Sequence, residues 1–150
     1  MNIRPATEQD FPRLYEIGSQ TPELRVSATE SFMDADEFKW AITEYKNAVF
    51  LIAELDGSIV GFIYANAKDL DKPVKHKYAC LVYMTVLPEF RKQGIAKELY
   101  ATCLSELKSK GITHMYGWAN AESDGAIISF LEKEGFAKGH KYVWMDREIV

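Results

Sequence analysis

The chain has 150 residues, 47% hydrophobic and 27% charged, which is the size and composition of one globular domain with a substantial core and no room for a second. A net charge of −4, without any run of lysine or arginine, argues against a nucleic-acid partner held by phosphate neutralisation. The apolar runs are strand length, so no membrane span is expected, and Met1-Asn2-Ile3-Arg4-Pro5 lacks the basic patch and apolar core of a signal peptide, which makes a cytoplasmic location the expectation.

Met1 to Arg4 reads as a short edge strand stopped by Pro5. Thr7 can cap a helix carrying Phe11, Leu14, Tyr15 and Gly18 at helical spacing, with Asp10 at the capping-box position and Pro12 near the start, where it is tolerated. Residues 19–33 read as a loop, opened by Thr21-Pro22. A second helix is expected from Asp34 to Lys46, with Phe38, Ala41, Ile42 and Tyr45 on one face. Asp34, Asp36 and Glu37 suit a helix N-terminus. Glu23 and Glu30 lie outside that account, and the acidic bias of this region favours a cationic partner.

Ala48 to Leu55 and Ser58 to Ala65, joined by Asp56-Gly57, predict a hairpin. A polar loop, 69–77, follows. Tyr78 to Val86 is apolar, β-branched and aromatic, and reads as a strand buried on both faces, with Pro88 ending it. Ala96, Leu99, Tyr100, Cys103, Leu104 and Leu107 then share one stripe of a helix that closes at Gly111. Thr113 to Ala119 is a further strand, and Ser123 or Asp124 caps a helix that turns Ala126, Ile127, Phe130 and Leu131 inward. A final hairpin is expected to join 136–138 to 142–145. The pattern alone supports an α/β fold with a mixed sheet. Cys80 and Cys103 read as packed free thiols, and Trp40, Trp118 and Trp144 as core residues. His76, His114 and His140 are too scattered for a metal site, so no metal is expected.

The most informative stretch is Arg91-Lys92-Gln93-Gly94-Ile95-Ala96, between the strand and the long helix. The first amides of a helix have no intrahelical acceptor and point along the positive end of its dipole, so they bind an anion. Gly94, expected in the first turn, and Ala96 let that anion approach the main chain, while Arg91, Lys92 and Lys97 add positive charge. The stretch is neither the Gly-x-Gly-x-x-Gly dinucleotide fingerprint nor a P-loop. It matches Arg/Gln-x-x-Gly-x-Gly/Ala after a strand ending in Val-x-Pro, and so resembles the GNAT superfamily of acyl-CoA-dependent N-acyltransferases. A second block, Phe130-Leu131-Glu132-Lys133-Glu134-Gly135-Phe136, resembles that family's Phe-Tyr-Glu-Lys-x-Gly-Phe, with Gly135 as the left-handed helix stop.

The resemblance covers nearly the whole chain and implies a single N-acetyltransferase domain over residues 1–150. Its element order would be βααβββαβαββ, a mixed, mostly antiparallel sheet split between the fourth and fifth strands with about four flanking helices. It implies acetyl-CoA as co-substrate, without a metal. Its diphosphate would lie on the main chain of Arg91, Lys92, Gln93, Gly94, Ile95, Ala96 and Lys97, and its pantetheine arm along Met84, Thr85 and Val86. An amide near Val86 would hold the oxyanion, and Asn120 and Phe130 would flank the arm. The family's proton-transfer residues do not carry over: its tyrosine falls on Leu131, its fourth-strand glutamate on Val82 or Tyr83, its fifth-strand glutamate on Ala119, and its asparagine on Asp124. Tyr83 and Glu122 are the candidate substitutes, with Tyr142 and Glu30 behind them.

The resulting expectation is acetyl transfer to a primary amine of a small molecule, peptide or protein by direct attack in a ternary complex. The alternatives are a non-catalytic acyl-CoA-binding module and a domain for an unrelated nucleotide. The sequence leaves monomer and homodimer equally open.

Overall fold

Asp56 and Gly57 take φ values of 51° and 79°, the left-handed pair that a two-residue hairpin turn demands, and so join β2 (Ala48–Leu55) to β3 (Ser58–Asn66). In the computed structural model, which describes residues 1–27, 30, 32–121 and 125–149, β1 (Asn2–Pro5) pairs antiparallel with β2, and β4 (Tyr78–Val86) antiparallel with β3. β5 (His114–Gly117) pairs parallel with β4, completing a sheet in the order β1-β2-β3-β4-β5. That parallel pair needs a crossover, which α3 (Ile95–Ser109) supplies.

The period-two alternation of strands sorts the core into two layers. Val49, Leu51 and Ala53 face α3, whose Ile95, Leu99, Tyr100, Cys103 and Leu107 are buried against them, together with Leu131 of α4 (Ala126–Lys133). Phe50 and Ile52 face the other way, onto α1 (Phe11–Gln20) and α2 (Ala35–Thr43). Gly18 on α1 makes room for the Phe32 ring, since a β-carbon there would lie 2.2 Å from it.

Two bulges break the alternation. Across β2 and β3, Ala53 faces Gly61 and Glu54 faces Ile59, leaving Val60 extra; across β3 and β4, Tyr64 faces Tyr83 and Ala65 faces Leu81, leaving Val82 extra. An extra residue inverts which side chains face which layer and bends the strand. Ala79 and Leu81 therefore lie with α3, whereas Tyr83 joins the aromatic layer under α1 and α2. β5 pairs only with Tyr78 to Leu81, so β4 leaves its neighbour at the bulge.

Several expectations need correction. No strand occurs at 136–149 among the described residues: the expected hairpin is absent, and Tyr142, Val143, Trp144 and Met145 are exposed. Strand propensity is realised only where a neighbouring strand takes up the ladder. Here the segment instead stacks Tyr142 edge-on against Trp118 (5.5 Å) and accepts at Asp146 a hydrogen bond from the Ser27 hydroxyl (3.2 Å). Trp40, Trp118 and Trp144 are not core; they are 49%, 72% and 67% exposed. β4 is not buried on both faces, because Cys80, Val82 and Met84 are half-buried. Helix α2 stops at Thr43 instead of Lys46, while α1 extends to Gln20 and a 3-10 turn, Pro22–Leu24, occupies part of the expected loop. The expected caps Ser123 and Asp124 lie outside the described residues; α4 begins after Gly125, at φ 80°.

Candidate active site

Where β4 runs free of β5, Val82 to Val86 present a sheet edge that no strand of the described residues covers on the β5 side. This edge leads into the turn before α3. A 3-10 segment, Pro88–Phe90, ends in Arg91, whose amide donates to the Pro88 carbonyl at 3.2 Å. Lys92 then takes φ 61° and Gly94 φ 84°, so the main chain doubles back twice in the left-handed region before the helix starts. Gly94 is thus the residue before the helix and not part of its first turn, because its φ is not helical.

The consequence is a run of free donors. Among the described residues, the amides of Lys92, Gln93 and Gly94 donate to no protein acceptor. Those of Ile95, Ala96 and Lys97 precede the first helical bond, from Glu98 N–H to the Gly94 carbonyl (3.1 Å). Six consecutive N–H groups therefore sit at the positive end of α3, and no side chain among the described residues caps them. A β-carbon at Gly94 would meet nothing within 4 Å, so the approach to these amides is open. Lys92 and Lys97 are exposed beside them.

The Arg91 side chain points elsewhere. Its Nε donates to the Val86 carbonyl at 2.8 Å, and its Nη1 lies 3.5 Å from Glu23 Oε1 in the segment after α1. The Asn120 side-chain amide, beyond β5, donates to the Glu23 carbonyl oxygen at 3.4 Å. Glu23 therefore links the β4–α3 turn to the far wall of the cleft, an arrangement the sequence reading missed. Its one signal was an acid left over once the α2 cap was explained. Next to it, Arg13, Gln20, Glu23, Glu89 and Arg91 border a cavity of about 370 Å³.

Met84 is half-buried on the open edge, with Thr85 and Val86 buried beside it, and Phe130 of α4 packs edge-on against Tyr100 at 5.9 Å. Tyr83 packs against Phe32, the rings tilted with centroids 5.0 Å apart, in the aromatic layer, and burial pushes its hydroxyl up to about 12. Leu131 is buried, consistent with an apolar side chain at that position. Glu122 and Asp124 lie outside the described residues. Burial also pushes the Cys103 thiol up to about 12 and raises that of Cys80, so neither is an activated nucleophile.

The family model described as acetyltransferase (GNAT) family matches residues 11–136. An uncharacterized N-acetyltransferase of Archaeoglobus fulgidus is 34% identical over 107 residues, 69% of this chain and 71% of that protein. One of Methanocaldococcus jannaschii is 28% identical over 99 residues, 66% of this chain but only 43% of the longer relative. Among solved structures, the aminoglycoside N-acetyltransferase AAC(6')-Iy in complex with CoA superposes with a TM-score of 0.73 at 18% identity, over 99% of this chain and all of that one, which establishes the shared fold.

Proposed function

The chain belongs to the acetyltransferase (GNAT) family, and from that premise we propose that it transfers an acetyl group from acetyl-CoA to an amine of a small molecule, peptide or protein. The observation that carries this reading is the run of six unpartnered amides, Lys92 to Lys97, at the end of an open strand edge.

Those amides take the diphosphate, with Arg91, Lys92 and Lys97 adding positive charge. The free edge of Met84, Thr85 and Val86 pairs with the amide groups of the pantetheine arm as a further strand would, and Asn120 and Phe130 border it on the other side. Bound acetyl-CoA would supply the thioester that the amine attacks, the C–S bond breaking after the C–N bond has formed and the thiolate leaving. A main-chain amide near Val86 stabilises the oxyanion of that step. The acceptor loses its proton to ordered water or to an acid, Glu30 or Glu122.

Tyr83 does not suit the donor role. Its ring is buried in the aromatic layer under α1 and α2, where burial pushes its hydroxyl up to about 12, so we assign Tyr83 to packing; a thiolate of pKa about 8.5 is a good enough leaving group to depart unprotonated and take its proton from solvent. The fold of the aminoglycoside enzyme and the acidic segment after α1 together favour a cationic amine as acceptor.

A thiol-release assay over a panel of primary amines, with mass spectrometry of the products, tests the reading. Acetylation of one amine supports it. Cofactor binding without release on any amine supports instead a non-catalytic acyl-CoA-binding module, a reading favoured by Leu131 at the position of the family tyrosine.

A further inference from the structure

Glu23 is held firmly in place. The 3-10 turn that carries it is closed by the Leu24 amide donating to the Thr21 carbonyl (3.1 Å) and the Arg25 amide to that of Pro22 (3.2 Å). The Thr21 hydroxyl ties the turn to α1 through the Ile17 carbonyl (2.7 Å), and Asn120 holds the Glu23 carbonyl from across the cleft. This scaffold presents the carboxylate to Arg91, whose guanidinium is itself anchored by the Val86 carbonyl at the end of the open edge. Arg91 thus has the Glu23 carboxylate at its outer nitrogen, while its own main chain leads directly into the amide run that begins at Lys92.

The pair is wet, with the two side chains 42% and 41% exposed, and its Nη1–Oε1 distance of 3.5 Å is long. An ion pair of this kind is weak and easily exchanged. A diphosphate offers a guanidinium more charge and better-placed oxygens than one carboxylate does. We infer that Glu23 is an internal competitor for the cofactor: its carboxylate occupies the outer nitrogen of Arg91 until the diphosphate displaces it. Glu23 thereby sets cofactor affinity, and its side chain is freed from Arg91 as the cofactor enters, while the turn that carries it stays tied to α1. The inference rests on the cofactor assignment made above.

A double-mutant cycle separates the two. Acetyl-CoA binding is measured by calorimetry for the unaltered chain, Glu23→Gln, Arg91→Gln and the double variant, each shown to be folded by its thermal transition. Glu23→Gln is expected to bind roughly two- to fivefold more tightly than the unaltered chain, the range an exposed pair allows. In the Arg91→Gln background the same substitution is expected to change nothing. An equal gain in both backgrounds would mean that only overall negative charge was removed, and would overturn the exchange. So would no gain, or a loss, in Glu23→Gln alone. If the folded, unaltered chain binds no acetyl-CoA, it is the cofactor assignment that fails, and the exchange with it.

Discussion

Asp10 is only 8% exposed and yet ionised, because Arg4 grips it with two nitrogens at 2.8 and 2.9 Å while the Thr7 amide and hydroxyl donate to the same carboxylate. The Arg4 hydrogen bonds are the largest cause, outweighing burial, and they hold the Asp10 carboxyl at about 2 instead of 3.8. A depressed carboxylate contributes stability that is present above the unfolded value and lost as pH falls through the folded one, here between about pH 4 and 2, worth about 2 kcal/mol. Asp10→Asn should therefore lower stability by about that amount at pH 7 and hardly at all at pH 2. Urea titrations at the two pH values decide it, and an equal cost at both would contradict the account. At Tyr83 the expectation is the reverse of a catalytic one. Tyr83→Phe should leave kcat within about twofold and its pH profile unmoved, since the hydroxyl does not titrate in the working range. A large fall in kcat with a displaced basic limb would restore the tyrosine as donor.

At the scale of elements, α2 is held to the sheet by Phe38, which is fully buried with Phe11, Tyr15, Phe32, Phe50 and Phe62 around its ring. Phe38→Ala should cost about 3–5 kcal/mol in denaturant unfolding, and a loss under about 1 kcal/mol would mean that the aromatic layer does not secure the helix. What could be read in advance depended on whether the signal was local. Ala48–Leu55 and Tyr78–Val86 match their expected limits, because a left-handed Asp-Gly turn and Pro88 punctuate them within a few residues. The bulges at Val60 and Val82 could not be read, since a bulge is a relation between two strands and leaves each strand's own composition unchanged. The expected last hairpin failed in the opposite sense: residues 142–145 have the composition of a strand, and no strand among the described residues pairs with them.

Across the whole molecule, a chain of net charge −4 is assigned an anionic ligand, so its binding has to come from a local field and not from the overall charge. That field was legible in part. The sequence motif located the turn and the helix it opens, and the resemblance supplied the ligand. The left-handed Lys92, which helps line up the donors, and the Glu23–Arg91 pair, whose members stand 68 residues apart, emerge only from the folded chain. The most direct test of the central claim is calorimetric binding of acetyl-CoA to the unaltered chain, Gly94→Gln and Gly94→Glu. Both substitutions bear the same left-handed strain at φ 84°, so their difference isolates the carboxylate placed before the amide run. The account predicts binding by the unaltered chain near −8 kcal/mol, as for a dissociation constant of about 1 μM, with Gly94→Glu at least about tenfold weaker than Gly94→Gln. Equal affinity in the two variants, with both folded, would contradict it.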